Sequence, residues 1–206
     1  ILMKELIERV TKTTFQQYVS EVFYTPMGID RLTFLPLDKF KSDEIVPTSI
    51  SPDMRKGLVQ GMVHDPAAAM LGGVSGHAGL FGNAESLASL MQMLLNGGEY
   101  KNVQYLKPET INAFTAKQSA NSRRGMGWDK PEMDKNRANP ACDYASEETF
   151  GHSGFTGTIV WADPKYDLIY VFLSNRVYPT QENRKLIEMG VRKNIMNAVY
   201  ESFLFP

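Results

Sequence analysis

The residue types best suited to chemistry lie in the run Gly151-His152-Ser153-Gly154-Phe155. At a strand edge, such a run supplies a polar ring, a hydroxyl and a glycine, so a substrate can lie flat against the backbone. We expect His152 to donate a hydrogen bond or a partial positive charge, and Ser153 to bind a substrate carboxylate or carbonyl. The Phe155 N–H is a candidate oxyanion donor. Taken alone, Gly-His-Ser-Gly is more often an ordinary turn or strand edge.

Three further polar residues are candidates for lining a cleft, namely His64, Asp65 and His77. His64-Asp65 could equally cap a local turn. Although His64, His77 and His152 raise the question of a metal site, no pair of them has the close helical spacing of zinc ligands, so we predict no metal. The glycines of residues 72–82 lack the Lys-Ser/Thr ending of a phosphate loop. We therefore expect neither a nucleotide nor any other cofactor.

The first half of the chain must position these residues with helices and loops. Apolar residues recur at helical spacing in 2–10 and again in 15–23, and Pro26 and Gly28 close the second run. Residues 32–66 contain several prolines and predict a long irregular segment. Residues 70–82 contain five glycines and predict a loop in close contact with its surroundings. Asn83 is then the expected cap of a helix that reaches Leu95.

The second half predicts a sheet and a covering helix. Pro108 begins a short helix, 125–129 forms a short strand, and Phe155–Trp161 pairs with Leu168–Leu173 as an antiparallel hairpin around an Asp-Pro turn. A long C-terminal helix should pack an apolar stripe on this sheet. The stripe consists of Ile187, Val191, Ile195, Val199 and Phe203.

Composition excludes several classes of protein. The 206 residues carry 22 basic and 23 acidic side chains, so there is no positive surplus for nucleic acid. No apolar run reaches the roughly 20 residues that a membrane-spanning helix needs. Cys142 is the only cysteine, which rules out an intrachain disulfide, and its neighbours indicate a polar loop.

Taken together, these segments resemble the C-terminal part of serine β-lactamase-related proteins, which include class C β-lactamases, DD-peptidases and esterases. The segments that carry the resemblance are Phe23–Ile29, Val63–Ala67, Gly76–Phe81, Gly151–Pro164 and Val171–Arg176. The resemblance implies a mixed α/β fold of the β-lactamase/transpeptidase type, with an antiparallel sheet, a C-terminal helix and part of the helical subdomain. Residues 1–125 would form the mainly helical and loop part, and 126–206 the sheet strands and last helix.

Members of that family use a Ser-x-x-Lys nucleophile element and a Tyr-x-Asn or Ser-x-Asn element for proton transfer. No serine in the chain is followed three residues later by lysine. Tyr100-Lys101-Asn102 matches the second element formally, but the resemblance predicts a surface loop there. Because the helical pattern starts at Ile1 without a cap, we expect a fragment. Its partner would be the missing N-terminal half of the same domain.

The resemblance implies an acyl-serine hydrolase acting on a cyclic amide, a peptide ending in D-amino acids, or an ester. His152, Ser153, Gly154 and Phe155 would form its substrate and oxyanion wall. Histidine instead of lysine at position 152 argues against β-lactam hydrolysis. The isolated chain should be inactive, because it lacks Ser-x-x-Lys. The upstream half could be absent by nature, through proteolysis or because it was not included in the expressed sequence. An upstream glycoside hydrolase domain is a possible partner, and the bacterial periplasm or envelope the implied location. A non-catalytic envelope module that binds cell-wall peptide is the alternative.

Overall fold

The computed structural model describes residues 1–51 and 55–205. The chain divides into two compact units. Unit 1 comprises Ile1–Leu87 and Asn175–Asn183, and unit 2 comprises Ala88–Ser174 and Arg184–Pro206.

Unit 1 begins with the two predicted helices. Helix α1 spans Leu2–Thr11 and α2 spans Phe15–Val19, which continues as one π-helical segment, Ser20–Tyr24. The Thr14 hydroxyl caps α2 by accepting a hydrogen bond from the Gln17 N–H. Both helix predictions are confirmed. The core that follows consists of Tyr24, Met27, Ile29, Leu32 and Phe34.

The prediction of an irregular segment over 32–66 is partly wrong. Two short 3₁₀ turns, Pro36–Asp38 and Ser42–Glu44, precede a β-hairpin of β1 (Pro47–Ser51) and β2 (Gly57–Gln60). Pro47 is the first residue of its strand, a position where proline costs no ladder hydrogen bond. The prolines of this segment therefore hid β1 from the sequence prediction, although Pro47 is compatible with the first position of a strand.

Three helices follow this hairpin along the chain. Helix α3 spans Pro66–Met70, α4 spans Ala84–Leu95 and α5 spans Pro108–Thr115. Asn83 Oδ1 accepts from the Ser86 N–H at 2.9 Å, which confirms the predicted cap. Strands β3 (Glu99–Tyr100) and β4 (Val103–Gln104) form a small hairpin. Lys101 and Asn102 are its turn, so Tyr100-Lys101-Asn102 lies in a surface hairpin.

Unit 2 contains a three-stranded antiparallel sheet in the order β5-β6-β7. The strands are β5 (Phe150–Ser153), β6 (Ile159–Asp163) and β7 (Leu168–Phe172). The β6–β7 hairpin confirms the predicted turn. The predicted strand start at Phe155 is wrong, because 154–158 turns the chain from β5 into β6. The predicted strand at 125–129 is also wrong, since only Asp129 pairs with β5, through Gly151.

The C-terminal helix is broken and rotated relative to the prediction. Gly190 takes a positive φ of 60° and separates α6 (Lys185–Glu188) from α7 (Val191–Leu204). Met196 and Tyr200 are buried in the core, whereas Ile195 and Phe203 are 41% and 43% exposed. The predicted stripe is therefore partly confirmed, because Val199 packs against the core and the Phe203 ring contacts Tyr200, but the most buried positions lie one residue further along the chain than Ile195 and Val199. The core against α7 contains Ala141, Cys142, Ala145, Ile159, Trp161 and Tyr170.

Candidate active site

His152 and Ser153 lie on β5, which is an edge strand of the sheet among the described residues, and Gly154 follows directly after it. Phe150 is buried against Met91 and Ala162 and anchors the strand in unit 2. Position 151 requires a glycine, because β6 passes very close to its Cα. A Cβ on Gly151 would lie 2.1 Å from the Val160 carbonyl oxygen, closer than two such atoms can approach. His152 then points outward, and its side chain is exposed.

Gly154 begins the turn that carries the candidate oxyanion donor. The Gly154 N–H donates to the Thr158 carbonyl at 2.8 Å, and a Cβ on Gly154 would meet Thr158 Oγ1 at 2.3 Å. Phe155 lies in this turn with 62% of its surface exposed. The backbone therefore presents residues 153–155 next to solvent, as a substrate wall requires. The oxyanion role of the Phe155 N–H stays a prediction.

The hydrogen bonds of His152 define its tautomer. Nδ1 lies 2.9 Å from the Ser153 carbonyl oxygen, which can only accept, so Nδ1 carries the hydrogen. Nε2 lies 3.3 Å from Nη1 of Arg124, which can only donate, so Nε2 is the acceptor. Both partners thus assign the same neutral form. The imidazole is held in place rather than left free to rotate.

Arg124 belongs to a charge cluster that the sequence prediction missed. Asp129 is buried, and Arg123 binds it through two contacts, Nε to Oδ1 at 2.8 Å and Nη2 to Oδ2 at 2.9 Å. Arg124 Nη2 lies 3.6 Å from the same carboxylate. Asp129 also exchanges two backbone hydrogen bonds with Gly151. Two adjacent arginines before a glycine-rich turn were the only signal in the sequence. Their spacing could not predict that Arg124 contacts His152, which lies 28 residues further along the chain.

In unit 1, the structure brings two of the other candidates together. His77 Nε2 lies 3.1 Å from Asp65 Oδ1, and Ser75 Oγ lies 2.9 Å from His77 Nδ1. Asp65 also caps α3 by accepting from the Ala68 N–H at 2.7 Å. That backbone donor, with His77 beside it, holds the pKa of Asp65 below its usual range. The capping interpretation of Asp65 is therefore observed, and a cleft role for it stays a prediction.

His64 immediately precedes Asp65 in the sequence. Burial and the nearby guanidiniums of Arg55 and Arg176 lower the pKa of His64. A neutral imidazole is therefore favoured at this position. Within residues 1–51 and 55–205, no three His, Cys, Asp or Glu side chains form a group that could hold a metal ion.

The comparisons with known proteins agree with this architecture. A family model described as "Beta-lactamase" matches residues 1–189. The chain is 36% identical to the "Putative D-alanyl-D-alanine carboxypeptidase" of Escherichia coli K12, across 92% of the chain and 47% of that relative. The chain belongs to the beta-lactamase family.

Solved structures show the fold of this beta-lactamase-family chain. A beta-lactamase from Mycobacterium bovis matches with a TM-score of 0.63 and 19% identity, over 97% of this chain and 60% of that one. Simvastatin synthase from Aspergillus terreus matches with a TM-score of 0.64 and 16% identity, over 98% of this chain and 54% of that one. At such identities the comparison shows the mixed α/β fold alone. The beta-lactamase-family chain spans about half the length of the curated relatives it matches.

None of the helices in the described part of this beta-lactamase-family chain is long and apolar enough to cross a membrane.

Proposed function

We propose that these 206 residues are the C-terminal portion of one serine-hydrolase domain that cleaves peptides ending in D-amino acids. The observation that carries the proposal is the His152-Ser153-Gly154 run at the end of an edge strand in a beta-lactamase-family fold. The name of the 36% identical relative supports the D-alanyl peptide as substrate. A cyclic amide or an ester is the next candidate substrate.

The reaction would be acyl transfer to water through an acyl-serine intermediate. The nucleophilic serine attacks the scissile carbonyl, the leaving amine takes a proton, and water then releases the acyl group. Ser153 would bind the substrate, and the Phe155 N–H would donate to the oxyanion as it forms. His152 would present its ring beside them. Histidine instead of the lysine common in β-lactamases, together with the name of the 36% identical relative, supports peptides over β-lactams as the substrate.

The nucleophile would come from residues outside this chain. No serine here has a lysine three positions later, so the proposal assigns the Ser-x-x-Lys element to the rest of the domain. A substrate in cell-wall peptide would place the protein in the bacterial periplasm or envelope. A glycoside hydrolase domain upstream would act on the glycan of the same polymer.

A covalent trapping experiment tests the proposal. The full-length protein is incubated with a fluorophosphonate or a D-alanyl depsipeptide, and the adduct is located by peptide mass spectrometry. We expect the label on the serine of an upstream Ser-x-x-Lys and no label on the 206-residue chain. Labelling of a serine within these residues would contradict the assignment.

A pair of serine variants tests the wall itself. Ser153→Ala should lower kcat/KM for a D-alanyl-D-alanine peptide about 10–100-fold, because one hydrogen bond to a charged or developing anion is lost. Ser202→Ala is the control, since Ser202 is exposed on α7 and bonds only locally to Val199. Equal effects of the two variants would exclude the proposed wall.

A non-catalytic binding module is the second candidate, favoured by the lack of Ser-x-x-Lys in these residues. It predicts no covalent adduct on the full-length protein. It also predicts measurable binding of cell-wall peptide, which Ser153→Ala weakens.

A further inference from the structure

The turn between β5 and β6 is closed by two backbone hydrogen bonds. The Gly154 N–H donates to the Thr158 carbonyl at 2.8 Å, and the Gly157 N–H donates to the Gly154 carbonyl at 3.1 Å. Both bonds involve Gly154, the residue directly before Phe155. The direction of the Phe155 N–H therefore depends on the geometry of this turn.

The planarity of the peptide bond shows where the Phe155 N–H points. The Gly154 carbonyl and the Phe155 N–H belong to one peptide unit, and in a planar trans peptide they point in opposite directions. Gly157, which is buried and has a positive φ of 111°, holds the Gly154 carbonyl toward the inside of the turn. The Phe155 N–H is thereby directed away from the inside of the turn, as an oxyanion donor must be.

Two side chains from outside the turn hold the carbonyls at its far end. The Ser174 hydroxyl donates to the Gly157 carbonyl at 2.9 Å. Nη1 of Arg192 donates to the Thr158 carbonyl at 3.2 Å. Ser174 follows β7 by two residues, and Arg192 is the second residue of α7. All of these residues belong to unit 2.

The backbone of Arg192 is itself held against the sheet. Tyr170 is a buried residue of β7, and its hydroxyl donates to the Arg192 carbonyl at 3.2 Å. The helix break at Gly190 places Arg192 in the first turn of α7, and its side chain is half-buried. A side chain whose backbone is fixed and which is partly packed loses less conformational entropy when it binds the turn.

We propose that Ser174 and Arg192 are positioning residues for the oxyanion donor, the Phe155 N–H. By holding the two carbonyls at the end of the turn, they keep this N–H aimed at the negative charge that develops in the transition state. This inference rests on the proposed function, because it names residues that act on the same wall through the backbone. The alternative is that both side chains only stabilise the fold, in which case every folded molecule would react at the wild-type rate.

Steady-state kinetics of the full-length protein separate these two roles. The substrate is a peptide that ends in D-alanyl-D-alanine, and the active sites are titrated so that kcat refers to folded molecules. For Arg192→Ala we expect kcat to fall about 10–100-fold with KM within about threefold of the wild type, because a displaced donor weakens the transition state more than the bound substrate. Ser174→Ala removes one neutral hydrogen bond and should lower kcat about 3–10-fold.

Arg192→Lys and Lys193→Ala complete the set. Lysine can still donate one hydrogen bond to a carbonyl, so Arg192→Lys should recover part of the lost kcat. Lys193→Ala is the matched control, since Lys193 is the next cation on α7 and pairs with Asp143 at 2.7 Å. It should keep the wild-type kcat. If Arg192→Ala also keeps the wild-type kcat for each titrated site, or raises only KM, the inference is overturned.

Amide hydrogen exchange distinguishes the failure of this inference from the failure of the proposed function. If the wild-type protein cleaves no substrate, the proposed function fails, but exchange of the Gly154 and Gly157 amides, followed by NMR, still measures how firmly the turn is held. We expect both amides to exchange about 10-fold faster in Arg192→Ala than in Lys193→Ala. Equal exchange in the two variants would show that Arg192 does not hold the turn and would overturn the inference.

Discussion

Removing the hydroxyl of Tyr200 would leave the buried carboxylate of Asp163 with one donor fewer. Tyr200 is fully buried on α7, and its hydroxyl donates to Asp163 Oδ2 at 2.6 Å. The Ser146 hydroxyl donates to Oδ1 at 2.6 Å, and the Ser146 N–H to Oδ2 at 3.0 Å. Tyr200→Phe deletes a single oxygen and keeps the ring packed.

The cost follows from the charge and the burial of this bond. A hydrogen bond to a charged group contributes about 1.5–3 kcal/mol, and a buried acceptor that loses its donor cannot recruit bulk water. Asp163 is 1% exposed, so little compensation by solvent is available. We expect Tyr200→Phe to reduce the free energy of unfolding by about 2 kcal/mol.

Urea unfolding followed by tryptophan fluorescence measures this loss. Trp161 is buried in the same core as Tyr200, so its emission reports on this region. With an m value of about 2 kcal/mol/M, the midpoint should fall by about 1 M. Tyr144→Phe is the control, because the Tyr144 hydroxyl donates to Glu201 at 3.1 Å on an exposed surface. Its midpoint should match that of the wild type.

Equal midpoints for Tyr200→Phe and the wild type would refute the reasoning. That outcome would mean that Asp163 finds another donor or that its carboxylate is not ionised in the folded chain. A changed m value would instead indicate a change in the unfolded or native ensemble rather than the loss of this bond.

Two further predictions concern the same sheet. Burial opposes ionisation of Asp163, but hydrogen bonds from Ser146 and Tyr200 outweigh it and lower its pKa. The ionised Asp163 therefore stabilises the folded chain fully above the pKa of an unfolded aspartate, about 3.9, and this stabilisation is lost as the pH falls through the lower pKa of the folded state. In acid unfolding curves, Asp163→Asn should accordingly lose less stability than the wild type below about pH 4. Gly151→Ala should lower the free energy of unfolding by about 1–3 kcal/mol or more, because the added Cβ would lie 2.1 Å from the Val160 carbonyl oxygen. Urea unfolding measures this loss, and a midpoint equal to that of the wild type would show that β5 and β6 can separate there.

The sequence predicted the elements whose signals are local. The β6–β7 turn carries Asp and Pro, and α4 begins with an asparagine that caps it, so both were found. The stripe on α7 was only partly correct, because Val199 packs on the core but the most buried residues, Met196 and Tyr200, were not in it. Tyr200 supplies the reason, since its ring fills the core while its hydroxyl reaches Asp163. A prediction based on apolar spacing does not take into account the hydrogen bond that allows the Tyr200 hydroxyl to be buried.

The sequence predicted the part of the candidate site that consecutive residues form, and it missed the contacts between residues that are distant in sequence. His152 and Ser153 stand next to each other, so their shared position on β5 was readable from the motif. The contact from Arg124 to His152 depends on a single β-bridge between Asp129 and Gly151, and no periodic pattern in the sequence predicts such a bridge. In the same way, Asp65 and His77 are 12 residues apart and meet through a loop whose path the glycines leave open.

Cys142 has a consequence for measuring how this core opens. It is the only cysteine, and it lies fully buried against α7. Burial also raises the pKa of its thiol, and the thiolate is the reactive form. A thiol reagent can therefore modify the protein only when this part of unit 2 opens. The labelling rate therefore measures local unfolding of the core that β6, β7 and α7 share.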